Sequence, residues 1–178
     1  MPSESSKIMA VVVQYLKGQT VLDLGCGDEK VVPWAIGVDD ASEWLEVPKA
    51  VGIKVKVNPE SKGLDILHQR PEGGLQDVIF SSHCLEHLRC PIGETLRYWF
   101  SFVRPGGLLV LYLPDERFYV YAPAHPKLRN PAHFHLLTMD TFLWYAEQLP
   151  GSTIVKTFLD NEAPGHYSFL VVIRKDKP

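Results

Sequence analysis

Val21-Leu22-Asp23-Leu24-Gly25-Cys26-Gly27 decides the fold. A short apolar run, Thr20–Leu24, suits a buried strand, and it feeds straight into a Gly-x-Gly turn. Glycine lets backbone approach a ligand and adopt positive φ. Working outward, Ala35–Val38 is a second such run and ends at the acidic pair Asp39-Asp40. Ile53–Val57 alternates apolar residues with lysine, the pattern of a half-exposed strand. Asp77–Ser82 and Leu108–Leu113 read as further buried strands. Between them lie helical patterns. Ser3–Lys17 places Ile8, Val11, Val12, Tyr15 and Leu16 on one face and stops at Gly18. Thr95–Val103 reads as a helix ended by Arg104-Pro105-Gly106-Gly107, and Met139–Gln148 as one capped by Thr138. Ser152–Leu159 and Ser168–Ile173 leave no room for a helix between them, so they are expected to pair antiparallel.

Strands alternating with helices predict an α/β, Rossmann-like, doubly wound and mostly parallel sheet with an antiparallel C-terminal hairpin. Asp28–Ala35 contains Pro33 and leaves only a shortened helix after the first strand. Ligands of such folds bind beyond the carboxyl ends of the strands. Attention therefore falls on Gly25–Lys30, Asp39–Ser42, Ser81–Cys90 and Pro114–Leu137.

The 178 residues, 46% hydrophobic with net charge −3, suit one domain over 1–178 and exclude a disordered chain. A pI near 6.1 argues against a nucleic-acid partner. Three cysteines, Cys26, Cys84 and Cys90, make no disulfide framework and point to a reducing compartment. No apolar stretch is long enough to span a bilayer, and Met1–Lys7 lacks a signal-peptide pattern, so the expected location is cytoplasmic.

Asp39 could accept both hydroxyls of a ribose. Two departures disfavour NAD or FAD. Lys30 stands where the third glycine of the dinucleotide fingerprint belongs, and Asp39 follows Gly27 by only about twelve residues, against about 20. Asp23 suits a ligand ammonium beside the turn and would repel phosphate.

Val21–Gly27, Ile36–Asp39, Asp77–Leu88 (DVIFSSHCLEHL) and Val103–Pro114 (VRPGGLLVLYLP), in that order, resemble the class I S-adenosylmethionine-dependent methyltransferases. The likeness is to the small branch with a Leu-Glu-His signature, of the ubiquinone type; His133–Phe142 is a looser fifth match. The resemblance implies S-adenosylmethionine as cofactor. Gly25, Cys26 and Gly27 would line its methionine and ribose, and Asp23 its ammonium. Asp39, with Asp40 beside it, would hold the ribose. Asp65, with Ile66 next to it, would serve the adenine, and Ser81, Ser82 and His83 would face the cofactor from the following strand.

His83-Cys84-Leu85-Glu86-His87 follows a strand and is expected to open a helix, with His83 and His87 on one face. Three readings compete. A His-x-x-Glu-His zinc peptidase needs another fold. A divalent metal site, completed by His133 or His135, would resemble the Glu-x-x-Glu-His of ubiquinone and small-RNA methyltransferases, with His83 replacing a glutamate. The favoured reading is metal-free. In it His83 takes a proton from the acceptor, with Glu86, His133 and His135 behind it as catalytic candidates.

Asp115–Leu137 carries Phe118, Tyr119, Tyr121, His125, His133, Phe134 and His135, and would cross the mouth of the site. Its aromatics suit a flat or apolar ligand, and Lys127 and Arg129 an anionic tail. The expected reaction is methyl transfer to oxygen or nitrogen of a small-molecule, glycan or peptide acceptor, and a homo-oligomer stays open. A non-catalytic S-adenosylmethionine-binding partner subunit is the alternative, and an NAD(P) oxidoreductase the weaker one.

Overall fold

The computed structural model describes residues 4–27, 29–39, 74–119 and 133–178. Its elements are α1 (Glu4–Leu16), β1 (Val21–Leu24), β2 (Ile36–Val38), β3 (Gln76–Ser82), α2 (Ile92–Ser101), β4 (Val103–Pro114), α3 (Glu116–Tyr119), α4 (Met139–Glu147), β5 (Ser152–Asp160) and β6 (Ser168–Lys175). Six strands form one sheet in the order β2-β1-β3-β4-β6-β5. The β1/β2, β1/β3 and β3/β4 pairs are parallel, whereas β6 runs antiparallel to both β4 and β5. The expected α/β architecture and its closing antiparallel hairpin are both present.

Side-chain alternation along the strands explains why both faces are covered. Leu22, Ile79, Leu109 and Leu111 point to the face covered by α2 and α4, where they pack with Leu96, Trp99, Phe142 and Ala146. Val21, Val78, Phe80 and Val110 point to the opposite face and meet Ile8, Val12 and Leu16 of α1. These three α1 residues repeat every four positions, the spacing that made the segment read as a helix. Thr138 caps α4 through a reciprocal pair with Thr141, as expected of it.

Four details differ from the sequence reading. Residues 29–35 carry turns and bends and no helix at all. The second predicted helix spans Ile92–Ser101 rather than Thr95–Val103. It starts directly after Pro91, whose carbonyl accepts the Glu94 and Thr95 amides. Arg104–Gly107 is not a loop after that helix but part of β4, with Val103 paired to Gln76. A register shift there and a positive φ at Gly106 absorb the proline and glycines, while Arg104 pairs with Asp77. His83–His87 does not open an α-helix: only Leu85–His87 forms a single 3-10 turn. His83 lies outside that turn in the left-handed region, at φ 49°, so His83 and His87 do not share a helical face. Asp40, Asp65, Ile66, the Ile53–Val57 run and residues 120–132 of the expected lid lie outside the described residues. No described helix is long and apolar enough to cross a membrane.

Candidate active site

The parallel register sets the carboxyl ends of β1 and β3 side by side, with Leu24 opposite Ser81. Ser81 Oγ donates to the Leu24 carbonyl at 2.9 Å and ties the two ends together. The glycine turn follows β1, and His83-Cys84 follows β3. They are in contact: a Cβ on Gly25 would press into Cys84, 2.5 Å from its Sγ. With φ +73°, Gly25 has no room for a side chain and no conformational tolerance for one. Gly27 differs, because a Cβ there would meet open space. Among the described residues, nothing crowds that side of the turn.

Both carboxylates of this half hold backbone. Asp39 Oδ2 accepts the Gly27 amide at 2.6 Å, joining the end of β2 to the turn. Asp23 is buried and accepts the Val31 amide at 2.6 Å. Burial pushes its pKa up to about 7, helped by Asp39 and opposed by the Val31 N–H and Lys30. Cys26 is buried with its thiol pushed up to about 12, again mainly by burial, so it is an inert wall rather than a nucleophile.

The half beyond β3 is built from side chains. The His83 amide donates to the Tyr112 carbonyl at 2.9 Å, which stabilises its unusual backbone. Its Nε2 lies 2.8 Å from Ser168 Oγ, and Nδ1 lies 3.6 Å from Glu86 Oε1. Burial, with Lys7, His133 and His87 nearby, lowers its pKa to about 3, so the ring is neutral. Glu86 is fully buried, and neither of its oxygens has a hydrogen-bond partner. Burial pushes its pKa up to about 8, with Glu116 and Glu4 adding to the rise, so near neutral pH it carries a proton. The Glu86 carbonyl accepts the Phe134 and His135 amides, which draws residues 133–135 over the turn.

His133 Nδ1 pairs with Glu116 Oε1 at 2.9 Å, and its ring stacks edge-on against His87. His133 thus joins the cluster. His135 does not: its Nε2 bonds the Cys90 carbonyl at 2.8 Å, where it ties down the loop before α2. Ser81 is spent on Leu24, and Ser82 Oγ is buried without a partner. Among the described residues, Glu86, His87 and His133 present ligand-type atoms all within 4.8 Å of one another, a set that could hold a metal ion.

Several residues at this site carry no local motif. Glu4 and Lys7 reach His83 from α1, where Glu4 Oε2 lies 3.7 Å from His83 Nε2 and Lys7 bonds Glu4. Tyr112, Tyr167 and Ser168 surround the imidazole from β4 and the start of β6. Polar residues at the first turn of an otherwise amphipathic helix were the one visible signal, and nothing in the sequence said what they would face.

A family model described as "Methyltransferase domain" matches residues 6–149. The chain belongs to that family. A comparison with curated proteins gave no match. Among solved structures, the chain resembles a SAM dependent methyltransferase from Archaeoglobus fulgidus at 20% identity and TM-score 0.64, covering 96% of this chain and 94% of that one. It also resembles a putative S-adenosylmethionine dependent methyltransferase from Listeria monocytogenes (15%, TM-score 0.67, 98% and 99% covered). A third is the 1,6-didemethyltoxoflavin-N1-methyltransferase of Burkholderia thailandensis, solved with S-adenosylhomocysteine (15%, TM-score 0.64, 98% and 79% covered). At these identities the likeness is one of fold. The family match sets aside the NAD(P) oxidoreductase reading.

Proposed function

We propose that the protein transfers the methyl group of S-adenosylmethionine to an oxygen or nitrogen of a small-molecule, glycan or peptide acceptor, and that residues 1–178 act as a single domain. The observation that carries this reading is the contact between the glycine turn and the His83-Cys84 segment. It joins the turn after β1 to the segment after β3 that carries His83.

The residues fit the cofactor. Gly25, Cys26 and Gly27 would lie along its methionine and ribose, and Asp39 would take the ribose hydroxyls. Asp23 and Ser81 act by holding the turn. Asp40, Asp65 and Ile66 are assigned to the ribose and adenine on the family resemblance, as is the narrower Leu-Glu-His branch. When bound, S-adenosylmethionine supplies an electrophilic methyl, so the protein's task is chiefly alignment and proton removal. His83 would accept the acceptor's proton. A histidine with so low a pKa is a weak base in the resting site, which suits an acceptor that loses its proton as the new bond forms. Burial keeps His83 uncharged beside a protonated Glu86, and His133 pairs with Glu116 nearby. The acidic balance of the chain favours a partner other than nucleic acid.

Incubation with methyl-labelled S-adenosylmethionine and a panel of hydroxyl and amine acceptors tests the reading. Labelled product is expected, and its loss in His83→Asn. Binding of S-adenosylmethionine with no transfer to any acceptor would favour the partner-subunit alternative. Dialysis against a chelator should leave the rate unchanged. A loss restored by Zn²⁺ or Mn²⁺ would replace the metal-free reading with an ion at the Glu86, His87 and His133 set.

A further inference from the structure

Three glutamates reach the His83 side of the site from three different elements, and each leaves an oxygen unused. Glu4 comes from α1. Its Oε1 accepts the Lys7 ammonium at 2.7 Å and the Tyr167 hydroxyl at 3.2 Å. Lys7 is itself anchored on the Gly165 carbonyl at 3.0 Å. That clasp fixes Glu4 Oε2, which is buried, has no hydrogen-bond partner and lies 3.7 Å from His83 Nε2. Glu116 repeats the arrangement from α3. Its Oε1 lies 2.9 Å from His133 Nδ1, and its Oε2 is buried without a partner. Glu86 links the two. It is fully buried with neither oxygen hydrogen-bonded, and its Oε1 is 3.6 Å from His83 Nδ1 and 4.0 Å from His133 Nε2.

Donor counting says what these oxygens lack. A carboxylate only accepts, so the missing partner is a hydrogen-bond donor or a cation. A methyl acceptor entering with a carboxylate or phosphate as its reacting group would add lone pairs where lone pairs already stand unmatched. The neighbouring rings agree. Tyr119 and Tyr167 meet edge to face at 4.8 Å, with Tyr167 6.0 Å from the His83 ring and Tyr119 5.0 Å from the His133 ring. Aromatic faces also favour cationic nitrogen. A metal ion on Glu86, His87 and His133 would not supply the donor missing at Glu4, which lies outside that set.

We propose that the methyl acceptor is an amine, and that Glu4 is the residue that selects it by taking an N–H of the amine on Oε2, with Glu86 and Glu116 completing an acidic wall. The inference rests on the methyl-transfer reading and narrows its oxygen or nitrogen to nitrogen. An aliphatic amine arrives as its ammonium and gives one proton to water before its electron pair is free. That pair then forms the bond to the methyl as the methyl–sulfur pair returns to sulfur. Positive charge passes from sulfur to nitrogen, and an acidic wall favours its arrival there. The proton that the new ammonium sheds is the one assigned above to His83.

The test uses the full chain and a panel of primary amines, each paired with the alcohol and the carboxylic acid of the same carbon skeleton. Methyl-labelled S-adenosylmethionine reads transfer. Calorimetric titration of the same compounds into the protein loaded with S-adenosylhomocysteine reads binding. The amines are expected to bind and be methylated at least about tenfold better than their alcohols, and the acids not at all. Glu4→Gln should raise KM for the amines at least about tenfold, with kcat changed less and S-adenosylhomocysteine affinity within about threefold of wild type. Glu116→Gln should act in the same direction and gives the reading if Glu4→Gln does not fold. Alcohols or acids methylated as well as the amines would overturn the proposal and leave methyl transfer standing. Selective binding of the amines with no transfer would uphold the amine site and overturn the methyl-transfer reading. No binding of any amine, or a folded Glu4→Gln that binds amines as the wild type does, would overturn the proposal.

Discussion

The two halves of the site solve different problems. At the ends of β1 and β2, both buried or half-buried carboxylates are engaged with backbone: Asp23 with Val31, Asp39 with Gly27. Beyond β3, the oxygens of Glu86, Glu116 Oε2, Glu4 Oε2 and Ser82 Oγ are buried without hydrogen-bond partners. Buried polar groups normally find partners, and among the described residues these oxygens have none within hydrogen-bond distance. The first half is a preformed cradle made largely of backbone. The second is a polar enclosure collected from α1, the 3-10 turn, α3, residue 133 and β6.

That contrast can be broken or sharpened by substitution. The largest effect is expected from Gly25→Ala. The new Cβ meets Cys84 at a positive φ, so it should lower stability by about 3 kcal/mol and abolish cofactor binding together. Denaturant unfolding with and without S-adenosylhomocysteine reads both. Asp39→Ala comes next. Loss of a charged acceptor at the turn should weaken S-adenosylhomocysteine binding about 30-fold, corresponding to about 2 kcal/mol, with the fold intact.

Glu86→Gln probes the other half through pH. Glu86 has a folded pKa near 8 against an ordinary 4.5, so between these values the native chain holds a proton that the unfolded chain has released. Its contribution therefore worsens as pH rises through that window. Glutamine mimics the protonated acid, so Glu86→Gln should unfold several degrees higher than wild type at pH 8, on the order of 2–4 °C per kcal/mol, and lose that advantage near pH 4.5. A pH-independent difference would show that Glu86 is not held neutral. The smallest effect is expected from Thr138→Ala, outside both halves. Removing the α4 cap should lower stability by about 1 kcal/mol and leave S-adenosylhomocysteine binding unchanged.

The same contrast explains what could be read from the chain. The cradle is local in sequence: strand, glycine turn and Asp39 lie within Val21–Asp39, and their chemistry follows from residue type and spacing. The apolar period of α1, the Thr138 cap and the antiparallel closing pair were legible for the same reason. The start of α2 after Pro91 and the extension of β4 back through Arg104–Gly107 were not, because a bulge and the Arg104–Asp77 pair override local turn chemistry. His83–Glu86–His87 looked helical by spacing, but the positive φ of His83 and the Tyr112 carbonyl that fixes it come from tertiary contacts. Of the predicted catalytic histidines, His133 reaches the cluster and His135 bonds Cys90 instead. The partners Glu4 and Ser168 lie some eighty residues from His83 along the chain, and no local pattern encodes their approach.

Calorimetric titration of S-adenosylhomocysteine into wild type, Asp39→Ala and His83→Asn tests the division of labour most directly. Asparagine tolerates the left-handed backbone at position 83, so that variant should fold. The wild type and His83→Asn should bind with affinities within about threefold, and Asp39→Ala about 30-fold more weakly. No binding by the wild type, or equal binding by Asp39→Ala, would contradict the account.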